Sequence, residues 1–375
     1  MTELYIGLMS GTSLDGVDGV LADFTAPGPD LLRVVAHAHR PFPPALAAEL
    51  LALNSAGGAG ELHRAALAGN ALARGYAEVV EAVLTASGTP RDQVRAVGAH
   101  GQTVRHRPRE LDGTGYTLQL NSPALLAELC GIDVVADLRS RDLAAGGQGA
   151  PLAPAFHRAM FGRAGESVAV LNLGGIGNLT ALRADGSTIG FDCGPGNALL
   201  DHWCRLHTGR AYDDGGSWAA SGRVIEPLLE RLRAEPYFTL PPPKSTGRDL
   251  FNPDWLQARL AASDPGAAPV DVQATLAELS AAACAADVQA HAAGARVLLV
   301  CGGGAFNGDL MRRLAARLPG IDVMCTDRRG LPADQVEACA FAWLARAFVR
   351  RECASVPSVT GAAGPRVLGA LYPAG

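Results

Sequence analysis

Lysine is almost missing from this chain: of its 32 basic residues all but Lys244 are arginine, and no Gly-Lys pair occurs anywhere. That removes a Walker A phosphate loop, whose lysine follows a glycine. The protein-kinase signatures are missing as well. No Cys-x-x-Cys pair joins the eight cysteines spread from Cys130 to Cys353, which argues for reduced, mostly buried thiols rather than a zinc cage or a disulfide framework. His202, Cys204 and His207 are close in sequence, but they are expected on different sides of one helix and not as a metal site. No apolar run reaches membrane-spanning length, and no basic or apolar leader precedes a first strand beginning at Leu4, which predicts a cytoplasmic protein. The net charge of −5 gives no general attraction to nucleic acid or to an anionic membrane.

What is present is a large apolar fraction, 48% of 375 residues, enough for two cores and therefore two domains. Hydrophobic periodicity predicts strands at 4–9, 17–24 and 32–39, helices at 43–54 and 61–87, and strands at 94–99, 116–120 and 133–137. A glycine-rich polar loop, "LRSRDLAAGGQGAP", fills 138–151 and is a candidate substrate loop. The second half repeats the opening pattern in "SVAVLNLGGIGNLTALRADGSTIGFD": strand, glycine turn, strand, Asp-Gly turn, strand. Helices follow at 197–206, 224–234 and 271–293, then a strand at 296–300, a helix from about 307 and another over 332–350. The proline-rich 236–243 reads as a rigid loop. These patterns predict an α/β protein of two related halves around a cleft, residues 1–165 and 166–354, with 355–375 packing back on the first.

Three glycine turns each follow an apolar strand directly, at 10–16, 174–178 and 301–304. Glycine there lets backbone amides approach a phosphate closely, and three such turns in a repeated frame could surround a nucleotide. A dinucleotide fold at 296–327, with Asp327 for a ribose, is the nearest rival, but Asn307 stands where its third glycine belongs. A serine hydrolase ranks lower, because "GTSLDG" is one residue too long for a nucleophile elbow. Phosphoryl transfer needs positioned amides, a cation held by carboxylate and a base near the acceptor. Asp15 and Asp18 are placed for the metal or its waters. Asp192, expected at the end of a buried inner strand, is the candidate base, with Asn197 capping the next helix.

Assembled in order, "MSGTSLDGVD", "HGQTV", "RSRDLAAGGQGAPL", "LNLGGIGNLT", "FDCGPGNALLD", "PKSTGRDLFN", "DVQATLAELSA", "VCGGGAFNGDLM", "EACAFAWLA" and "SVTGA" resemble the anhydro-N-acetylmuramic acid kinases of the sugar kinase, Hsp70 and actin superfamily. The resemblance implies two related ribonuclease-H-like (actin-like ATPase) domains with an interdomain cleft, and a homodimer. It implies cleavage of a 1,6-anhydro sugar coupled to phosphorylation by ATP with Mg²⁺, in recycling of cell-wall fragments. The ATP loop maps to Gly11, Thr12, Ser13, Leu14, Asp15, Gly16, Val17 and Asp18. Gly174, Gly175 and Asn178 face it from the other half, and Gly302, Gly303, Gly304 and Asn307 lie on the adenosine side. Asp192 is the implied base for water, with Glu337 as a second carboxylate. Arg139 or Arg141 would take the lactyl carboxylate, and Gln102 and Asn197 fall on the substrate side. Cys193 stands where threonine is common in the family, and Lys244 receives no role. A chaperone-like member of the superfamily would instead hydrolyse ATP without modifying a sugar.

Overall fold

In a computed structural model of the chain, residues 3–11, 13–25, 31–247, 249–264 and 266–375 are described. The chain forms two units, one of residues 1–160 with 335–375 and one of residues 161–334.

The first unit is built on β1 (Leu4–Met9), β2 (Gly16–Asp23), β3 (Arg33–Pro41) and β4 (Val94–Ala99), with β5 (Gln102–Pro108) and β6 (Gly115–Leu120) forming a separate hairpin and β7 (Val134–Ala136) following. β1, β2 and β3 form an antiparallel meander, while β4 and β7 add in parallel on the other side of β1. The C-terminal strand Ala370–Tyr372 pairs antiparallel with β7 and becomes the sheet edge. β1 is central and covered on both faces, so it is apolar almost throughout instead of alternating. Its Leu4, Ile6 and Leu8 share a core with Leu72, Tyr76, Val79 and Val83 of the helix Glu61–Ser87.

The second unit repeats this order. β8 (Val168–Leu173), β9 (Ile176–Leu182) and β10 (Thr188–Pro195) form the meander, and β11 (Val297–Cys301) and β12 (Asp322–Cys325) extend it in parallel from β8. Numbered within each sheet, the second runs 3-2-1-4-5 and the first runs the same way with the C-terminal strand added as a sixth beyond β7, a ribonuclease-H-like arrangement. A helical cluster around Trp203, Leu228, Phe251, Trp255 and Leu276 adds a further core to the second unit.

The sequence places 335–354 with the second half, whereas the helix Val336–Val349 packs on β1 and β4 of the first unit. Two glycines make that docking possible. A Cβ on Gly7 would run into the Ala338 carbonyl oxygen, and one on Gly98 into that of Phe341. The expected loop 138–151 contains a short helix, Ser140–Ala144. Its return is fixed by buried Asp142, which accepts from Gly149 N at 2.8 Å and from Thr360 Oγ1 at 2.9 Å. Among the described residues no helix is long and apolar enough to cross a membrane.

Candidate active site

Asp192 lies within β10 and not at its end, and β10 is the edge strand of its sheet rather than an inner one. The edge reads as interior because protein covers it. Asp192 N donates to the Lys244 carbonyl at 3.2 Å, and Tyr237 Oη donates to the Asp192 carbonyl at 2.7 Å. Among the described residues the carboxylate itself accepts one hydrogen bond, from Thr246 N to Oδ2 at 3.0 Å. Burial pushes its pKa up to about 6, against smaller downward pulls from that hydrogen bond and from the Lys244 charge. A carboxylate desolvated in this way is a stronger proton acceptor than one in water. Asn172, Asn178 and Asp192 are register partners across β8, β9 and β10, so three polar side chains share one face of the sheet. Cys193 does not sit as a lost hydroxyl beside this acid: its buried thiol lies against Cys284 and Asp287.

The glycines of the predicted turns fall into two kinds. At Gly16, Gly302 and Gly304 a Cβ would collide with the Arg40 carbonyl, the Asn172 side chain and Leu173 respectively, so the protein's own packing requires glycine. Gly11, Gly174, Gly175 and Gly303 have no such neighbour: a Cβ there would find its nearest atom at 3.5, 3.7, 3.5 and 3.8 Å. None of the four has a positive φ. Glycine at these positions serves neither packing nor a left-handed turn, which leaves room for close approach by something outside the chain.

Each unit also holds buried polar atoms without partners: Gln102 Oε1 in the first, Asn172 Oδ1 and Thr246 Oγ1 in the second. Such atoms are rare in native proteins unless water or a ligand completes them. Gln102 Nε2 donates to the Gly11 carbonyl at 3.0 Å, so its open oxygen lies next to the first glycine turn.

In that turn Leu14 takes φ +59°, and Ser13 Oγ donates to Asp15 Oδ1 at 2.7 Å. Thr12 lies outside the described residues. Val17 is core and belongs to packing. Asp18 Oδ1 meets His39 Nδ1 at 3.0 Å and His37 Nε2 at 3.3 Å. Among the described residues no three His, Cys, Asp or Glu side chains form a metal cage. Mg²⁺ in kinases needs only one or two carboxylates besides phosphate and water, and the pair Asp15 and Asp18 fits that smaller demand.

Two predicted asparagines are committed within their own unit. Asn197 occupies the cap position of the helix Ala198–Thr208, but its Nδ2 donates to the Leu173 carbonyl at 3.0 Å instead of its oxygen capping. Asn307 does cap, its Oδ1 accepting from Leu310 N at 3.0 Å. Gly174 and Gly175 present carbonyls to Asn197 N and Ala198 N, at 2.8 and 3.1 Å, which ties their turn to that helix.

Arg139 and Arg141 divide clearly. Arg139 donates from Nη2 to His100 Nε2 at 2.8 Å and from Nη1 to the Gly149 carbonyl at 2.8 Å. Burial pulls its pKa down to about 10, with the Glu337 and Asp142 carboxylates opposing. Glu337 is half-buried and acts on this arginine, so it is not a solvated helix residue. His100 Nδ1 faces the Ser10 carbonyl at 3.1 Å, which makes it the donor and leaves Nε2 to accept from Arg139. Burial, then the arginine charge, lowers the His100 pKa to about 3 and keeps it neutral. The "HGQT" and "RSRD" motifs thus hold the first glycine turn through one buried chain of contacts. Arg141 is exposed and has no partner among the described residues.

Sequence reasoning missed His100, Thr246, Asn172 and Asp287. Only the first three stand in motifs it had singled out, and none carries a spacing signal of its own.

A family model described as anhydro-N-acetylmuramic acid kinase matches residues 3–374. The anhydro-N-acetylmuramic acid kinase of Variovorax paradoxus (strain S110) is 65% identical over 377 residues, covering 99% of both chains. That of Cupriavidus pinatubonensis is 60% identical over 373 residues, covering 99% of this chain and 98% of the other. Among solved structures, the activator of the 2-hydroxyisocaproyl-CoA dehydratase from Clostridium difficile with bound ADPNP is similar at a TM-score of 0.49 and 11% identity, covering 94% of this chain and 96% of the other. With a match over nearly its whole length and relatives this similar, the chain belongs to the anhydro-N-acetylmuramic acid kinase family of sugar kinases.

Proposed function

We propose that this enzyme opens 1,6-anhydro-N-acetylmuramic acid with water and phosphorylates its O6, giving N-acetylmuramic acid 6-phosphate and ADP. The observation that carries the reading is Asp192: a desolvated carboxylate fixed by the single Thr246 N–H and raised to a pKa of about 6. The anhydro bridge occupies O6, so the sugar has no free 6-hydroxyl. Asp192 takes a proton from a water as its oxygen bonds to C1, the C1–O6 bond breaks, and O6 takes the phosphoryl group. The proton on Asp192 then returns to solvent. ATP supplies the phosphoryl group, and Mg²⁺ neutralises phosphate charge.

The chain's own part is positioning. Gly11, Gly174, Gly175 and Gly303 leave space for phosphate and ribose against backbone, while Asp15 and Asp18 are assigned to the metal or its waters. Arg141, the unengaged fork, is assigned to the lactyl carboxylate. Arg139 and Glu337 shape that side of the site, and Gln102 Oε1 and Thr246 Oγ1 await polar groups of the substrates. The reading places the enzyme in the cytoplasm as a homodimer serving cell-wall recycling. Its test is ADP release with and without the anhydro sugar. ADP release that depends on the sugar, with product phosphorylated at O6, is the expected result; equal release without sugar overturns it.

A further inference from the structure

Beneath Asp192 lies the chain's only lysine. Lys244 has a side chain 2% exposed, and its Nζ stands 3.3 Å from Asp287 Oδ1 on the helix Pro269–His291. The ammonium also lies 5.4 Å from the Phe191 ring centroid and 5.2 Å from that of Tyr237. Both aromatic residues touch the acid's surroundings: Phe191 precedes Asp192, and Tyr237 donates to its carbonyl. A compact ammonium fits between two ring faces and one carboxylate, where a planar guanidinium needs a broader set of acceptors. In a chain that otherwise uses arginine, this is the position that is lysine.

The backbone of the same segment grips the acid from two sides. The Lys244 carbonyl accepts from Asp192 N, and two residues on, Thr246 N donates to its carboxylate. Fixing the lysine side chain to the long helix therefore fixes the one N–H that aims the base.

We propose that Lys244, anchored by Asp287, is the positioning residue of the active site. It holds Thr246 N–H against Asp192 and supplies the positive charge that keeps this carboxylate ionised for proton transfer. The proposal rests on the reading of Asp192 as the base. The groups around that acid are few. Its own strand contributes the thiol of Cys193, the 236–239 segment Tyr237, and the 244–246 segment Lys244. The helix Pro269–His291 contributes Cys284, Asp287 and His291, the last 4.0 Å from Asp287 Oδ1. Burial raises the Asp287 pKa, and Lys244 works against it. Among the described residues Lys244 is the only positive charge acting on Asp192, and it favours the ionised form.

The two halves of the ion pair should therefore move the base in opposite directions. The test is the pH profile of sugar-dependent kcat for wild type, Lys244→Met, Lys244→Arg, Asp287→Asn and Asp192→Asn, with KM for ATP measured alongside. Lys244→Met is expected to lower kcat ten- to a hundredfold with KM for ATP within twofold, and to move the acidic limb up by about one pH unit. Asp287→Asn, which unmasks the ammonium, is expected to move the limb down. Lys244→Arg retains charge and should recover part of kcat with the limb near its wild-type position. Simple loss of packing would lower activity without opposite shifts. The proposal is overturned if the limb stays in place in Lys244→Met, or moves the same way in Lys244→Met and Asp287→Asn. Asp192→Asn separates the two ideas: if it turns over normally the base assignment itself has failed, whereas an inactive Asp192→Asn with an unmoved limb in Lys244→Met condemns only the role of the lysine.

Discussion

The two units share one sheet order, and each carries an aspartate on its antiparallel meander, yet the acids are treated differently. Asp18 in β2 faces two imidazoles, His37 and His39, on the neighbouring strand. Asp192 in β10 faces an asparagine on its neighbour and takes one backbone N–H. The first arrangement leaves a part-exposed carboxylate against two ring nitrogens, the one proposed above for the metal or its waters. The second desolvates it and makes it basic. The same topology thus yields two carboxylate environments, set by what covers each strand.

The largest effect that would sharpen this contrast is kinetic. Asp192→Asn is expected to lose turnover about 10³-fold while nucleotide affinity persists, and excess Mg²⁺ should not restore it. Asp18→Asn should instead raise the Mg²⁺ concentration needed for half-maximal rate, with turnover at saturating Mg²⁺ within about tenfold of wild type. Equal losses in both variants, measured by ADP release, would erase the distinction.

Next in size is the pH response. Because the base must be ionised, kcat should fall about tenfold per pH unit below the Asp192 pKa of about 6. A rate that stays flat down to pH 4.5 would show that the desolvated acid is not the group in use.

A third experiment separates the two kinds of glycine. Gly98→Ala places a methyl against the Phe341 carbonyl and should destabilise the first unit by about 1–3 kcal/mol, seen as a lower Tm. Gly175→Ala meets nothing closer than 3.5 Å, so Tm should hold while ATP binds about tenfold more weakly by calorimetry. The reverse pattern would assign the open glycines to folding rather than to ligand.

The smallest effect concerns stability. The folded-state pKa of Asp192 lies above the ordinary 3.8, so its ionised form opposes folding at pH values above about 6. That cost disappears below the ordinary value, where both states are protonated. Asp192→Asn should therefore melt higher by on the order of 2–4 °C at pH 8, and the difference should vanish by pH 3.5. A lower Tm at pH 8 would show that the carboxylate stabilises the fold.

Much of this was legible in the chain itself. The repeated strand–glycine–strand pattern announced both sheets, because a meander with a short first turn is written locally in apolar runs and glycines. The motifs around Gly11, Gly174 and Gly303 contain the glycines that the chain's own packing does not require. What could not be read was set by contacts distant in sequence. Residues 188–193 look like an interior strand since Tyr237 and Lys244, 45 and 52 positions beyond Asp192, seal their edge. The helix Val336–Val349 carries no mark of its host, which is chosen by the bare backbones of Gly7 and Gly98. Asn197 has the right residue type for a cap but finds the Leu173 carbonyl closer to hand. His100 and Arg139 meet across 39 residues, and no spacing rule connects them.

The most direct measurement of the central claim is a titration of the Asp192 side-chain carboxyl by ¹³C NMR in the full-length protein, using Asp192→Asn to assign the signal. A midpoint close to 6 is expected, well above the ordinary aspartate value. A midpoint at or below the ordinary aspartate value would contradict it.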